Sequence, residues 1–161
     1  KIPKGMETGS RLRVPRKGGA GIKGGPPGDL YVVLHVVQHN LFERRGDDLY
    51  CEIPIPFETA VLGGEIYVPT IDGYAKLKIA PGTKTGKFFR LRGKGMPNVE
   101  GYGRGDLHVR ILAEVPVKLN SEQKKIMKKF KEFYDESNYP GIRQLKKQAE
   151  EFYERKKAMK K

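Results

Sequence analysis

The sequence predicts a mainly β protein in which one structural unit occurs twice, followed by C-terminal α-helices. Three observations carry that expectation. Of the 20 glycines and 11 prolines, only Gly141 and Pro140 lie beyond Asn120, so the turn-forming residues end there. Before Asn120 the chain breaks into short runs of β-branched and aromatic residues, whereas residues 121–161 are rich in Lys, Glu, Gln and aromatics at helical spacing. The chain also matches itself at an offset of 77 residues.

In that self-match, Lys1-Ile2, Gly5, Thr8-Gly9, Arg13, Lys17-Gly18, Gly24, Gly28-Asp29-Leu30 and Val32 fall on Lys78-Ile79, Gly82, Thr85-Gly86, Arg90, Lys94-Gly95, Gly101, Gly105-Asp106-Leu107 and Val109. Thirteen identities in 32 ungapped positions mark an internal duplication. Residues 48–77 precede the second copy and have no counterpart before the first. The expectation is therefore a C-terminal fragment of a longer protein, its first repeat cut short.

Each element has its own signal. The strands are expected at Asp29 to Gln38, Leu49 to Ile55, Glu65 to Val68, Tyr74 to Ile79, Phe88 to Arg92 and Leu107 to Val115, with Arg11 and Arg13 on a further strand of the repeat. Asp72-Gly73 predicts a hairpin turn, because glycine takes positive φ without steric cost. Phe57 to Leu62 reads as a short helix. In the tail, Asn120 and Gln123 have capping-box spacing. Ile126, Met127, Phe130, Phe133 and Tyr134 then form one apolar stripe, Ser137 to Gly141 breaks the helix, and Ile142, Leu145, Ala149, Phe152 and Tyr153 form a second stripe. The boundaries that follow are a truncated first repeat at 1–38, a linker at 39–46, a complete repeat at 47–118 and a helical tail at 119–161.

Composition removes several function classes. Lys and Arg number 32 against 19 Asp and Glu, a net charge of +13. The most apolar stretch, Leu30 to Val37, is too short for a membrane helix. Cys51 is the only cysteine, which excludes an internal disulfide and a cysteine zinc site and points to a reducing, cytoplasmic setting. Gly82-Thr83-Lys84-Thr85-Gly86-Lys87-Phe88 falls one residue short of a phosphate loop and has Phe88 where a magnesium-binding hydroxyl is needed. No serine lies in a nucleophile elbow, and His35, His39 and His108 lack metal-ligand spacing. Asp29 and Asp106 stand at equivalent strand starts, which suggests bonding to loop amides. The expectation is a protein that is not an enzyme.

The charge leaves two readings open. Seven basic residues and no acids lie between Lys76 and Lys94, and seven with the single Glu7 lie between Lys1 and Lys23. Arg90 and Arg92, like Arg11 and Arg13, share a strand face. Such a face is either solvated or binds phosphates or acidic segments, so a basic nucleic-acid-binding module is the alternative function.

Gly28-Asp29-Leu30-Tyr31-Val32, His39 to Leu49, Ala60-Val61-Leu62-Gly63-Gly64, Val68 to Gly73, Arg92-Gly93-Lys94-Gly95-Met96-Pro97 and Gly105-Asp106-Leu107 together carry a resemblance. From Lys1 to about Lys131, the chain resembles the C-terminal region of the DnaJ-type J-domain co-chaperones. The resemblance implies tandem β-sandwich domains that hold unfolded or partly folded polypeptides for a DnaK-type ATPase, with C-terminal helices making a homodimer. It implies no membrane partner and makes nucleic acid an unlikely one. The His-Pro-Asp signature, the Gly/Phe-rich linker and the C-x-x-C-x-G-x-G repeats are not in this sequence. This stretch is therefore expected neither to stimulate the ATPase nor to bind a cofactor, zinc belonging to an upstream region of the parent.

By the same resemblance Phe42 lines an apolar pocket near the junction of the repeats, with inter-domain packing as its other reading. Ile53, Ile55, Ile66 and Val68 fall on strands that could form a second groove, against which stands ordinary core packing. Ile126, Met127, Phe130, Phe133 and Tyr134 are the expected dimerisation residues.

Overall fold

In the computed structural model, which describes residues 1–159, the chain forms two compact units, Lys1–Pro116 and the residues from Val117 onward. The last two residues of the expected tail lie outside the described range.

The first unit begins with β1 (Arg11–Val14) and β2 (Leu30–Val33), an antiparallel pair. Then come β3 (Glu43–Arg45), β4 (Asp48–Pro56), the short helix α1 (Phe57–Leu62), the hairpin β5 (Gly64–Thr70) and β6 (Gly73–Ile79), β7 (Phe88–Leu91) and β8 (Leu107–Glu114). A four-stranded sheet runs β3-β4-β8-β7, with β4 and β8 parallel at its centre from Leu49↔Leu107 to Pro56↔Glu114. Parallel neighbours need a long crossover, and residues 57–106 provide it. Because side chains alternate across a strand, Leu49, Cys51 and Ile55 of β4 share one face with Leu107, Val109 and Ile111 of β8. Val68, Leu77 and Ile79 of the hairpin and Ala60 of α1 close over that face, giving a β-sandwich core.

The 77-residue repeat is present in the hydrogen bonds themselves. Arg11↔Val33 and Val14↔Leu30 in the first pair correspond to Phe88↔Arg110 and Leu91↔Leu107 in the second. Gly9 N donates to Leu34 O and Gly18 N to Gly28 O; 77 residues on, Gly86 N donates to Ile111 O and Gly95 N to Gly105 O. Asp29 accepts from Arg16 N at 2.9 Å and Asp106 from Gly93 N at 2.7 Å, the loop-amide role expected of both. Arg16 holds φ 58° where its counterpart Gly93 has φ 65°, so both copies make the left-handed turn although only one has glycine there.

Four expectations change. The strand read over Asp29 to Gln38 is ladder only at Leu30–Val33, because β2 has one partner where β8 has two. Residues 43–45, read as linker, form β3; three charged residues carry no strand pattern of their own and are ordered by their pairing with β4. The hairpin pairs Thr70 with Gly73, so Ile71 and Asp72 are its central residues, and Gly73, at φ 131°, opens the return strand. Pro140 and Gly141 start a helix instead of breaking one.

In the second unit, α2 (Ser121–Glu132) opens with the expected capping box: Gln123 N donates to Asn120 Oδ1 at 2.8 Å and Asn120 N to Gln123 Oε1 at 2.9 Å. A 3-10 turn at Glu136–Asn138 leads to α3 (Pro140–Ala158). Proline suits the first helical position, where its missing N–H is not needed.

Candidate functional site

Where the two repeats meet, His39 fixes a tight turn. Leu41 N and Phe42 N donate to His39 Nδ1 at 3.0 and 3.3 Å, and the rings of His39 and Phe42 lie 5.2 Å apart. The turn runs straight into β3, so Phe42 is delivered to the edge of the four-stranded sheet, half-buried against the core. Beside it opens a groove of about 1050 Å³. Its apolar lining includes Val36, Val37, Leu41, Phe42, Ile71 and Met96, and its charged lining is Glu7, Glu43, Arg44, Arg45, Glu52 and Arg110. Val37 is 81% exposed and Ile71 is 40% exposed, so this apolar surface is open to solvent. An extended chain with apolar side chains fits such chemistry, because burying each one is worth roughly 1.5–3 kcal/mol before ordering costs.

The second predicted groove is corrected. Ile55 is 2% exposed and Val68 0%, because both point between the two sheets; they are core and offer no surface to a ligand. Ile53 and Ile66 are half-buried against the same core. Of the five, only Phe42 lines the junction groove. Sequence reading missed Val36, Val37, Leu41, Ile71 and Met96 as lining residues. One signal was available: Ile71 is apolar at the centre of a two-residue turn, where polar residues usually stand.

Residues 1–116 match the family described as the DnaJ C terminal domain. The chain belongs to that family. Among relatives, it is 54% identical over 141 residues to the chaperone protein DnaJ of Geobacillus sp. (strain WCH70), a match covering 88% of this chain and 37% of that one. The DnaJ of Parageobacillus thermoglucosidasius is 53% identical over the same shares, and that of Brevibacillus choshinensis 52% identical over 87% and 37%. The chain thus spans a little over a third of the length of these relatives. The DnaJ family is one of co-chaperones, not of enzymes.

In this DnaJ C-terminal domain, Arg44 ties the repeats together. Its guanidinium donates to Gly46 O at 2.7 Å within its own repeat, and to Gly5 O at 2.6 Å and Met6 O at 2.8 Å in the other, with Glu7 at 3.3 Å. A planar fork with five donors can satisfy several carbonyls at once, as an ammonium cannot. Gly5 also packs so close to Pro97 O that a Cβ there would lie 2.2 Å from it, so the first repeat's turn is held from two sides.

The strand arginines have acidic partners. Arg13 meets Asp29 at 2.6 Å, Arg90 meets Asp106 at 3.6 Å and Arg110 meets Glu52 at 2.8 Å, while Lys76 meets Glu65 at 2.6 Å. Asp48 accepts from Asp106 N at 2.7 Å and lies 3.2 Å from His108 Nε2; the backbone N–H first, and the histidine second, hold its carboxyl below the usual carboxylate range. Burial pushes the Cys51 thiol up to about 11, so it stays protonated at neutral pH. Among the described residues, no group of three His, Cys, Asp or Glu is placed to hold a metal, and no helix is long and apolar enough to cross a membrane.

The DnaJ family match stops at residue 116, and the tail carries its own apolar surface. Met127, Phe130, Phe133 and Tyr134 line a groove of about 570 Å³ together with Leu119 and Tyr139. Tyr134 stacks on Tyr139 with ring centres 5.2 Å apart. Ile126, the fifth residue of the expected stripe, is exposed beside that groove and is not part of its lining.

Proposed function

We propose that this chain is the client-holding and self-pairing part of a DnaJ-type co-chaperone. The observation that carries the proposal is the solvent-open apolar groove at the repeat junction, centred on Phe42, in a chain of the DnaJ C-terminal domain family. Non-native polypeptides expose apolar side chains beside free backbone groups, and the groove offers apolar lining next to β3, an edge strand. The tail pairs two copies, and the longer protein presents its clients to a DnaK-type ATPase in the bacterial cytoplasm. The chain itself works without a cofactor, any zinc lying elsewhere in the parent.

The test is suppression of aggregation. At several-fold molar excess and without ATP, the chain slows light scattering by a chemically denatured protein, and Phe42→Ala weakens that effect. No slowing at any ratio sinks the proposal.

The nucleic-acid reading has the +13 charge behind it. Against it stand the carboxylate partners of Arg13, Arg90, Arg110 and Lys76, which lower the charge these strands present to a phosphate. Duplex DNA binding that is tight at low salt and falls steeply as salt rises would favour it.

A further inference from the structure

We infer that Arg104 is a positioning residue for the junction groove: through Asp72 it holds the tip of the β5–β6 hairpin so that Ile71 forms part of the groove wall. This rests on the reading of that groove as the client-holding site, and assigns it a residue that is not in its lining.

The hairpin is anchored at one end. Val68, Leu77 and Ile79 are buried in the core, whereas Asp72, Gly73 and Tyr74, at the far end, are exposed. β5 and β6 pair with each other and with no further strand, so no ladder braces the tip, and a two-stranded hairpin alone is barely stable in water. Ile71 lies three residues beyond Val68, about 10 Å at 3.4 Å per residue. The unsupported end is therefore the one that reaches the groove.

Arg104 supplies the missing brace. Its Nη1 donates to Asp72 Oδ2 at 2.8 Å, its Nη2 to Asp72 Oδ1 at 3.4 Å and its Nε to Gly95 O at 3.3 Å. Two parallel bonds from one planar fork fix direction as well as distance. Among the described residues, these are the only side-chain bonds that join Thr70 to Gly73 to anything outside the hairpin. The brace has a firm base: Arg104 pairs with Pro97 across an isolated bridge, and Gly105 N donates to Met96 O at 3.0 Å. Met96 N in turn donates to Asp47 O at 2.8 Å, and Asn98 Nδ2 to Asp47 Oδ2 at 2.6 Å. The hairpin tip is thereby tied to the turn between β3 and β4, and so to the strand that Phe42 leads into. Met96 packs against the core and keeps its place without the brace. Ile71 has no such support, and when the ion pair opens the tip swings about its buried root and takes that wall of the groove with it.

Binding of a fluorescein-labelled ten-residue peptide rich in Leu and Phe, followed by anisotropy on the whole chain, tests this, with urea denaturation as the check on folding. Ile71→Ala weakens binding about tenfold, as for a lost apolar contact. Arg104→Ala weakens it about three- to fivefold, the range of a partly exposed ion pair, and leaves the urea midpoint almost unchanged. Arg104→Lys, which keeps the charge without the fork, recovers part of that loss. The two alanine substitutions together bind no worse than Ile71→Ala alone, because the brace acts through the residue it positions. Losses that multiply in the double variant, an Arg104→Lys chain as weak as Arg104→Ala, or an Arg104→Ala chain as tight as the wild type each overturn the positioning role. Phe42→Ala in the same assay separates this from the groove reading: binding weakened there leaves that reading standing. A wild type that binds no peptide, or a Phe42→Ala chain that binds as tightly as the wild type, overturns both.

Discussion

Arg44 donates to three backbone carbonyls and to Glu7 from a side chain that is only 19% exposed. Arg44→Met keeps much of the stem's packing but strands the carbonyls of Gly5 and Met6, and charge-assisted bonds of this kind are worth about 1.5–3 kcal/mol each where buried. The expected outcome is a loss of about 2–3 kcal/mol in urea denaturation, with early proteolytic cutting near Lys1 to Lys17. Arg44→Lys falls between, because an ammonium cannot reach all the acceptors at once. Asp48 gives a pH-dependent counterpart. Its carboxyl titrates lower in the folded chain than when unfolded, so its contribution is complete above about pH 4, the ordinary carboxylate value, and is lost as pH falls through the folded value. Asp48→Asn should therefore destabilise the chain at pH 7, and by progressively less as pH falls below about 4, as read from a series of denaturation curves. A loss that stays constant down to the acid limit of folding would mean that geometry alone, and not ionisation, makes this contact.

At the scale of elements, the repeat sets up an internal control. β2 and β8 are copies with the same register to their antiparallel neighbours, yet β8 is flanked by β4 as well and its Leu107, Val109 and Ile111 are 0% exposed. The equivalent Leu30 and Val32 are 44% and 37% exposed. Hydrogen exchange followed by NMR should find the amides of β8 protected to nearly the global unfolding limit, and those of β2 exchanging far faster. Comparable protection in the two would show that pairing to β4 adds nothing. The capping box makes a smaller forecast: Asn120→Ala costs about 1 kcal/mol of helix stability, visible as reduced helicity in the tail. These elements also show what could be read beforehand. The 77-residue identities fixed which hydrogen bonds recur, and the Asn120–Gln123 spacing fixed where α2 starts, because both are local chemistry. Alternation told which side chains of β4 and β5 share a face, but not that a second sheet covers that face. That is why Ile55 and Val68 were candidates for a groove and proved to be core. β3 was illegible for a related reason: Glu43-Arg44-Arg45 is strand only because Tyr50, Leu49 and Asp48 stand opposite.

For the whole molecule, the question is what two copies achieve that one does not. The junction groove is solvent-open and part polar, with about as many charged as aliphatic side chains in its lining, so a single groove holds an extended segment weakly. Joining two grooves through the tails turns the second binding event into an intramolecular one, at an effective concentration on the order of millimolar for short connections. The gain depends on client length. A long unfolded chain can engage both grooves, whereas a peptide of about ten residues spans at most roughly 35 Å and occupies one. Cutting the chain after Lys118 removes the tail and leaves the first unit, Lys1–Pro116, whole. The shortened chain should therefore bind a short apolar peptide as tightly as the full chain does, measured by fluorescence anisotropy. Its affinity for a long denatured protein should drop by about 10- to 100-fold, within the range expected when avidity is lost. Equal losses for both ligands would place client contacts in the tail itself, and no loss for either would mean that the two grooves never act on one client.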